Sequence, residues 1–123
     1  MVIYRKIIYK IFTYKGGGMY YPISALLIEC LILSVLDGKE SYGYEISQTI
    51  KMVSQIKEST LYPILRKLEN NGYVTTYIRE YQGRKRKYYI ITGKGREQLA
   101  FLKEEWQSYR DMIDGIIEGR IRN

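Results

Sequence analysis

The sequence predicts a mainly α-helical fold with one small β-hairpin and a long C-terminal helix. Three observations carry that expectation. Apolar residues recur at helical spacing in three stretches between Pro22 and Asn70, strand-like residues take over between Tyr73 and Thr92, and a regular apolar stripe runs from Leu99 to Ile116. With 123 residues, 46% apolar and 27% charged, the chain can build one modest core.

The elements follow in order. Residues 1–18 mix apolar and aromatic residues with Arg5, Lys6, Lys10 and Lys15, contain no acid, and end in Gly16-Gly17-Gly18. This basic N-terminal extension reads as an arm, as a segment lying on a membrane, or as sequence upstream of a native start at Met19, because Lys-Gly-Gly-Gly-Met is what a purine-rich ribosome-binding site can encode. Its scattered charges do not suit a secretory signal. From Ile23 to Leu36 the chain is apolar on nearly every side, as expected of a helix covered by both a core and a neighbour; Pro22 suits its first turn and Asp37-Gly38 its end. That stretch is too short and too interrupted to cross a bilayer.

Ser41 is the expected cap of a second helix reaching about Val53, with Ile46, Ile50 and Val53 on one face. A third helix is expected over Glu58–Asn70, with Leu61, Ile64, Leu65 and Leu68 buried, Pro63 near its first turn and Asn71-Gly72 as its stop. Tyr73–Tyr81 and Arg86–Thr92 read as two strands joined at Gln82-Gly83, with Gly83 to Lys87 forming the tip. Thr92 then caps a final helix to about Gly119. In it Leu99, Leu102, Trp106, Tyr109, Ile113 and Ile116 are spaced 3-4-3-4-3, the pattern of a coiled-coil seam, and the expected occupant of that seam is a second copy of the chain.

Charge narrows the function. The net charge is +7, and residues 57–96 alone hold 10 basic against 3 acidic residues, so an anionic partner is expected at one localised face. The absence of His excludes His-based acid–base catalysis and triads, and the single Cys30 lies in an apolar run as a small hydrophobe. No arrangement of paired titratable groups suggests an enzyme, and no metal site or cofactor is expected. A free buried thiol suits the cytoplasm.

Three helices followed by a basic-tipped hairpin are the layout of a winged helix-turn-helix, in which the third helix enters the major groove of duplex DNA and the wing touches its backbone or minor groove. Lys57, Ser59, Thr60, Tyr62, Arg66 and Lys67 are the polar positions of that helix, and hydroxyls and cations near a helix N-terminus suit phosphate. Arg84, Lys85, Arg86 and Lys87 concentrate four positive charges whose mutual repulsion a row of phosphates would relieve. Strand alternation lets only two or three of them act together. Tyr42, Tyr44 and Tyr62 either donate hydroxyl hydrogen bonds to phosphates or pack under the helices, with Tyr62 the first candidate for the former, and one of Tyr88 and Tyr89 should be core. The competing reading is a winged-helix interaction module whose basic face binds an acidic protein or a membrane surface.

Tyr42-Gly43-Tyr44-Glu45-Ile46, then Ser59-Thr60-Leu61-Tyr62-Pro63 with Leu65, Arg66, Leu68, Glu69 and Gly72, then Arg86-Lys87-Tyr88-Tyr89 with Thr92 and Gly95 resemble the PadR family of transcriptional regulators. The resemblance runs from about Met19 to the C-terminus and is similar to the small subgroup with a single C-terminal helix. It implies a bacterial, cytoplasmic homodimer that binds a palindromic operator, usually as a repressor. On this reading residues 19–92 form the DNA-binding domain and 93–123 the dimerisation helix. Ser59 departs from the Gly often found there. Trp106 stands where multidrug-sensing relatives stack a planar ligand, so the resemblance makes it a candidate effector platform; interface core is the simpler role for a lone Trp on this stripe.

Overall fold

A computed structural model describes residues 22–123, so the basic extension expected over residues 1–18 lies outside the described residues. Helix α1 spans Ala25–Gly38. Its cap is Ser24, whose Oγ accepts from the Leu27 amide at 3.1 Å, so Pro22 stands ahead of the helix and not in its first turn. Among the described residues, no helix is long and apolar enough to cross a membrane.

Ser41 does not cap the second helix. Ser41–Tyr42 form a short strand, β1, and helix α2 starts directly after it at Gly43, with its first turn closed by Ser41 Oγ donating to Glu45 Oε1 at 2.9 Å. β1 takes Ser41 at one end and the chain tightens into i→i−3 turns after Ile50 at the other, so the helix is short, Gly43–Ile50; Ile46 and Ile50 are buried, but Val53 falls on the following turn and is exposed. Helix α3 covers Glu58–Asn70 as expected and buries Leu61, Ile64, Leu65 and Leu68. Pro63 lies in its second turn and not its first.

Strands β2, Val74–Tyr81, and β3, Arg84–Ile91, form the hairpin, and β1 adds a third antiparallel strand in the order β1-β3-β2. Gln82 and Gly83 both take positive φ, 50° and 79°, and Tyr81 pairs with Arg84 across this two-residue turn. The basic cluster therefore occupies the start of a strand and not the turn. Alternation sends Arg84, Arg86 and Tyr88 to the outer face of the sheet, and Lys85, Lys87 and Tyr89 to the face that leads into the core. Tyr89 is the core member of the Tyr88-Tyr89 pair.

Helix α4, Gly93–Ile117, is capped by Thr92, whose Oγ1 accepts from the Gly95 amide at 3.0 Å and donates to the Gly72 carbonyl at 2.7 Å. A Cβ at Gly95 would overlap the Tyr73 carbonyl oxygen, which already accepts from the Thr92 amide, so the helix start sits directly on the base of the hairpin. The core lies among α1, α2, α3, the inner sheet face and the first turns of α4. Ile32, Leu33, Ile46, Leu61, Leu65 and Leu68 are completely enclosed there. Leu99 and Leu102 belong to this core too, because the start of α4 packs along α1 within the same chain; they are not free to form an intersubunit seam. Further along the helix, Trp106, Tyr109 and Ile116 are exposed and Ile113 is half-buried.

Candidate nucleic-acid interface

The residues that form the basic face are delivered by three elements. Lys57, at the N-cap of α3, and Ser59, Thr60, Tyr62, Arg66 and Lys67 along it are all exposed, since the helical period turns them away from the buried Leu and Ile stripe. Across from them, β3 brings Arg84, Lys85, Arg86 and Lys87. Tyr42 and Gly43, at the junction of β1 and α2, close the third side.

These elements enclose an open groove of about 380 Å³ whose lining includes Tyr42, Tyr62, Arg66, Lys85, Arg86 and Lys87. The groove exists because β1 is only two residues long. It pairs with Tyr88 and Tyr89 and leaves the edge of β3 from Arg84 to Lys87 without a strand on that side. Gly43 is the second condition. A Cβ there would lie 2.7 Å from Tyr62 Oη, so glycine is what lets the Tyr62 ring lie over the start of α2 in this position.

Two ion pairs fix α3 against its neighbours. Lys67 Nζ lies 3.1 Å from Glu29 Oε2, a carboxylate of α1 that is only 5% exposed, so Lys67 reaches back to the first helix as well as out to solvent. Glu69, near the end of α3, accepts from Lys87 Nζ at 3.0 Å and from Thr76 Oγ1 at 2.9 Å and so ties both wing strands to the helix. Hydrogen bonds from Lys87 and then Thr76 hold the Glu69 carboxyl below its ordinary value.

The outer sheet face is aromatic. Tyr77 and Tyr88 stack with ring centroids 5.4 Å apart, Tyr42 meets Tyr88 edge-on at the same separation, and the Tyr77 hydroxyl donates to Glu40. That bond to Glu40 raises the Tyr77 hydroxyl above its usual range. The Arg86 guanidinium lies 4.5 Å from the Tyr42 ring centroid and 4.6 Å from that of Tyr81.

The structure thus gathers Tyr42, Tyr62, Arg66, Lys85, Arg86 and Lys87 into one groove. Lys57, Ser59 and Thr60 continue the face along the N-terminal turn of α3, and Arg84 sits beside the hairpin turn. Glu29, Glu69 and Tyr81 are absent from the expected set. A lone acid inside an apolar helix, Glu29, was the available signal for the first, and the place of Glu69 in the family-like motif of the third helix for the second; nothing local marks Tyr81. Cys30 is buried, and burial pushes its thiol up, which leaves it a packing residue.

Comparison with known proteins agrees with this arrangement. The family model described as the transcriptional regulator PadR-like family matches residues 32–101. The crystal structure of smu.1704 from Streptococcus mutans is similar at a TM-score of 0.82, with 61% identity over 85% of this chain and 99% of that one. A transcriptional regulator from Clostridium thermocellum shares 38% identity over 72% of this chain and 91% of its own, at a TM-score of 0.67. A PadR family transcription regulator from Clostridium difficile shares 32% identity over 73% of this chain and 97% of its own, also at 0.67.

Proposed function

The chain belongs to the PadR-like family of transcriptional regulators, and from that premise we propose that it acts as a homodimeric repressor of a palindromic operator in the bacterial cytoplasm. The observation that carries this reading is the union of the α3 polar face with the β3 cations in one groove, open toward solvent along a strand edge. Residues Lys57, Ser59, Thr60, Tyr62, Arg66 and Lys67 occupy the major-groove side. Arg84, Lys85 and Arg86, with Tyr42, meet the phosphate backbone, while Lys87 in the same cluster is engaged by Glu69.

The dimer joins through α4. Trp106, Tyr109, Ile113 and Ile116, together with exposed Met112 and Ile117, form an apolar surface beyond the point where α4 leaves its own core. Such a surface on a helix end is stable in water when covered, and a second copy covers it by two-fold symmetry. The dimer then holds two α3 helices for successive half-sites. Trp106 serves first as interface core, and a planar effector would act by stacking there.

Footprinting the purified protein on the DNA upstream of its own gene tests the proposal. Protection of one inverted repeat, with affinity that falls steeply as salt rises, is the expected result. Equal affinity for every duplex, or preference for anionic vesicles over DNA, would replace it with the interaction-module reading.

A further inference from the structure

Arg86 carries more structure than a surface cation needs. Tyr42 stands opposite Tyr88 and Tyr81 opposite Arg84, so each tyrosine is the diagonal neighbour of Arg86 on one of the two flanking strands. The guanidinium thus lies between a ring from β1 and a ring from β2, at 4.5 and 4.6 Å. It is half-buried, yet it makes no hydrogen bond or ion pair among the described residues, so its five N–H donors remain unspent. Directly opposite it is Arg79, a like charge at a position where like charges are unfavourable.

A planar cation held by its faces, with its edge open and a second cation opposite, is arranged to receive an anion bidentately. We propose that Tyr42 and Tyr81 form a clamp that presents Arg86 to one backbone phosphate of duplex DNA, with Tyr81 acting as a positioning residue. The inference rests on the DNA-binding reading above. Phosphate is favoured over a base edge because Arg86 lies mid-strand with Arg79 opposite it, at the rim of a groove whose lining also includes the cations Arg66 and Lys85. The rings immobilise a side chain that would otherwise lose rotamer freedom on binding. Lysine cannot replace it, since a point charge neither stacks nor forks.

The test uses the full chain, a duplex from its own upstream region and a shuffled duplex of equal length, with unchanged thermal unfolding as the control for fold. Arg86→Ala should weaken binding to both duplexes by a similar factor, about tenfold, and lower the salt slope by about 0.9 for each chain bound. Arg86→Lys should keep the slope but not recover the affinity. Tyr81→Phe should bind as the wild type does, whereas Tyr81→Leu should weaken binding to both duplexes with no change of slope. Independently of DNA, the Arg86 Nε proton should resonate upfield of an ordinary arginine, and Tyr81→Leu should relax that shift.

Loss confined to the upstream duplex would overturn the phosphate assignment in favour of a base contact. Wild-type affinity in Arg86→Ala or Tyr81→Leu, or an unshifted Nε proton, would overturn the clamp while leaving the DNA reading intact. A wild-type protein that binds neither duplex would overturn both.

Discussion

Four wing cations are not four equivalent phosphate contacts, and the Lys87–Glu69 pair gives the difference a size. Each chain charge that neutralises a DNA phosphate contributes about 0.9 to the dependence of log affinity on log salt, so a symmetric dimer loses about 1.8 when one such residue is removed. Lys87 is held 3.0 Å from a carboxylate of α3. Its charge is therefore balanced within the chain and releases no counterions from DNA. Lys85 makes no ion pair among the described residues, although Glu80 stands opposite it on β2, and on the proposed reading it does release them. Lys85→Ala should reduce the slope by about 1.8, which makes the affinity loss on doubling the salt about 3.5-fold smaller than in the wild type. Removing the pair together, Lys87→Met with Glu69→Gln, should leave the slope where it was. Glu69→Gln alone should free Lys87 and steepen the slope by up to about 1.8. Fluorescence anisotropy of a labelled duplex at several salt concentrations measures all three. A double variant whose slope falls as far as that of Lys85→Ala would show that Lys87 abandons Glu69 for DNA, and the distinction between the two lysines would be refuted.

Three further outcomes follow from the same geometry. Gly95→Ala forces a methyl group onto the Tyr73 carbonyl, so it should destabilise the fold by about 1–3 kcal/mol in chemical denaturation; wild-type stability would mean that the α4 start can shift freely. Ile116→Asp places a charge on the exposed apolar stretch of α4 and should move the protein from dimer to monomer in sedimentation at micromolar concentration, with no loss of helix by circular dichroism; an unchanged dimer would put the interface elsewhere. Because Glu69 has its pKa lowered on folding, its stabilising contribution is present above its ordinary value of 4.5 and is lost as pH falls through the lower folded value. The stability difference between wild type and Glu69→Gln should therefore shrink below about pH 4.5, and parallel pH curves for the two proteins would contradict the assignment.

Much of the site was legible because its requirements are local. Exposure of Ser59, Thr60, Tyr62 and Arg66 follows from the helical period once Leu61, Ile64, Leu65 and Leu68 are recognised as buried. Gln82-Gly83 sets the hairpin register within two residues. The partners that hold these groups were not legible, since they come from distant parts of the chain: Glu29 lies 38 residues before Lys67, and Glu69 lies 18 before Lys87. Ser41 shows how a local rule is overridden. It is a good capping residue by type, but pairing with Tyr89 on β3 draws it into a strand and moves the helix start to Gly43. The spacing of Leu99 to Ile116 misleads in a similar way, because one regular stripe serves two surfaces. Its first two members enter the chain's own core, whereas Trp106, Tyr109 and Ile116 stay exposed.

Periodicity, turn chemistry and the placement of charge determined the order of the elements, the buried stripe of α3 and the basic character of the wing, because each depends on residues within a few positions of one another. Assembly in three dimensions decided which cations remain free, which are neutralised and which are clamped between rings. Those outcomes depend on distances between side chains from separate strands and helices, and a one-dimensional pattern does not contain them until the core has closed and set the elements against one another.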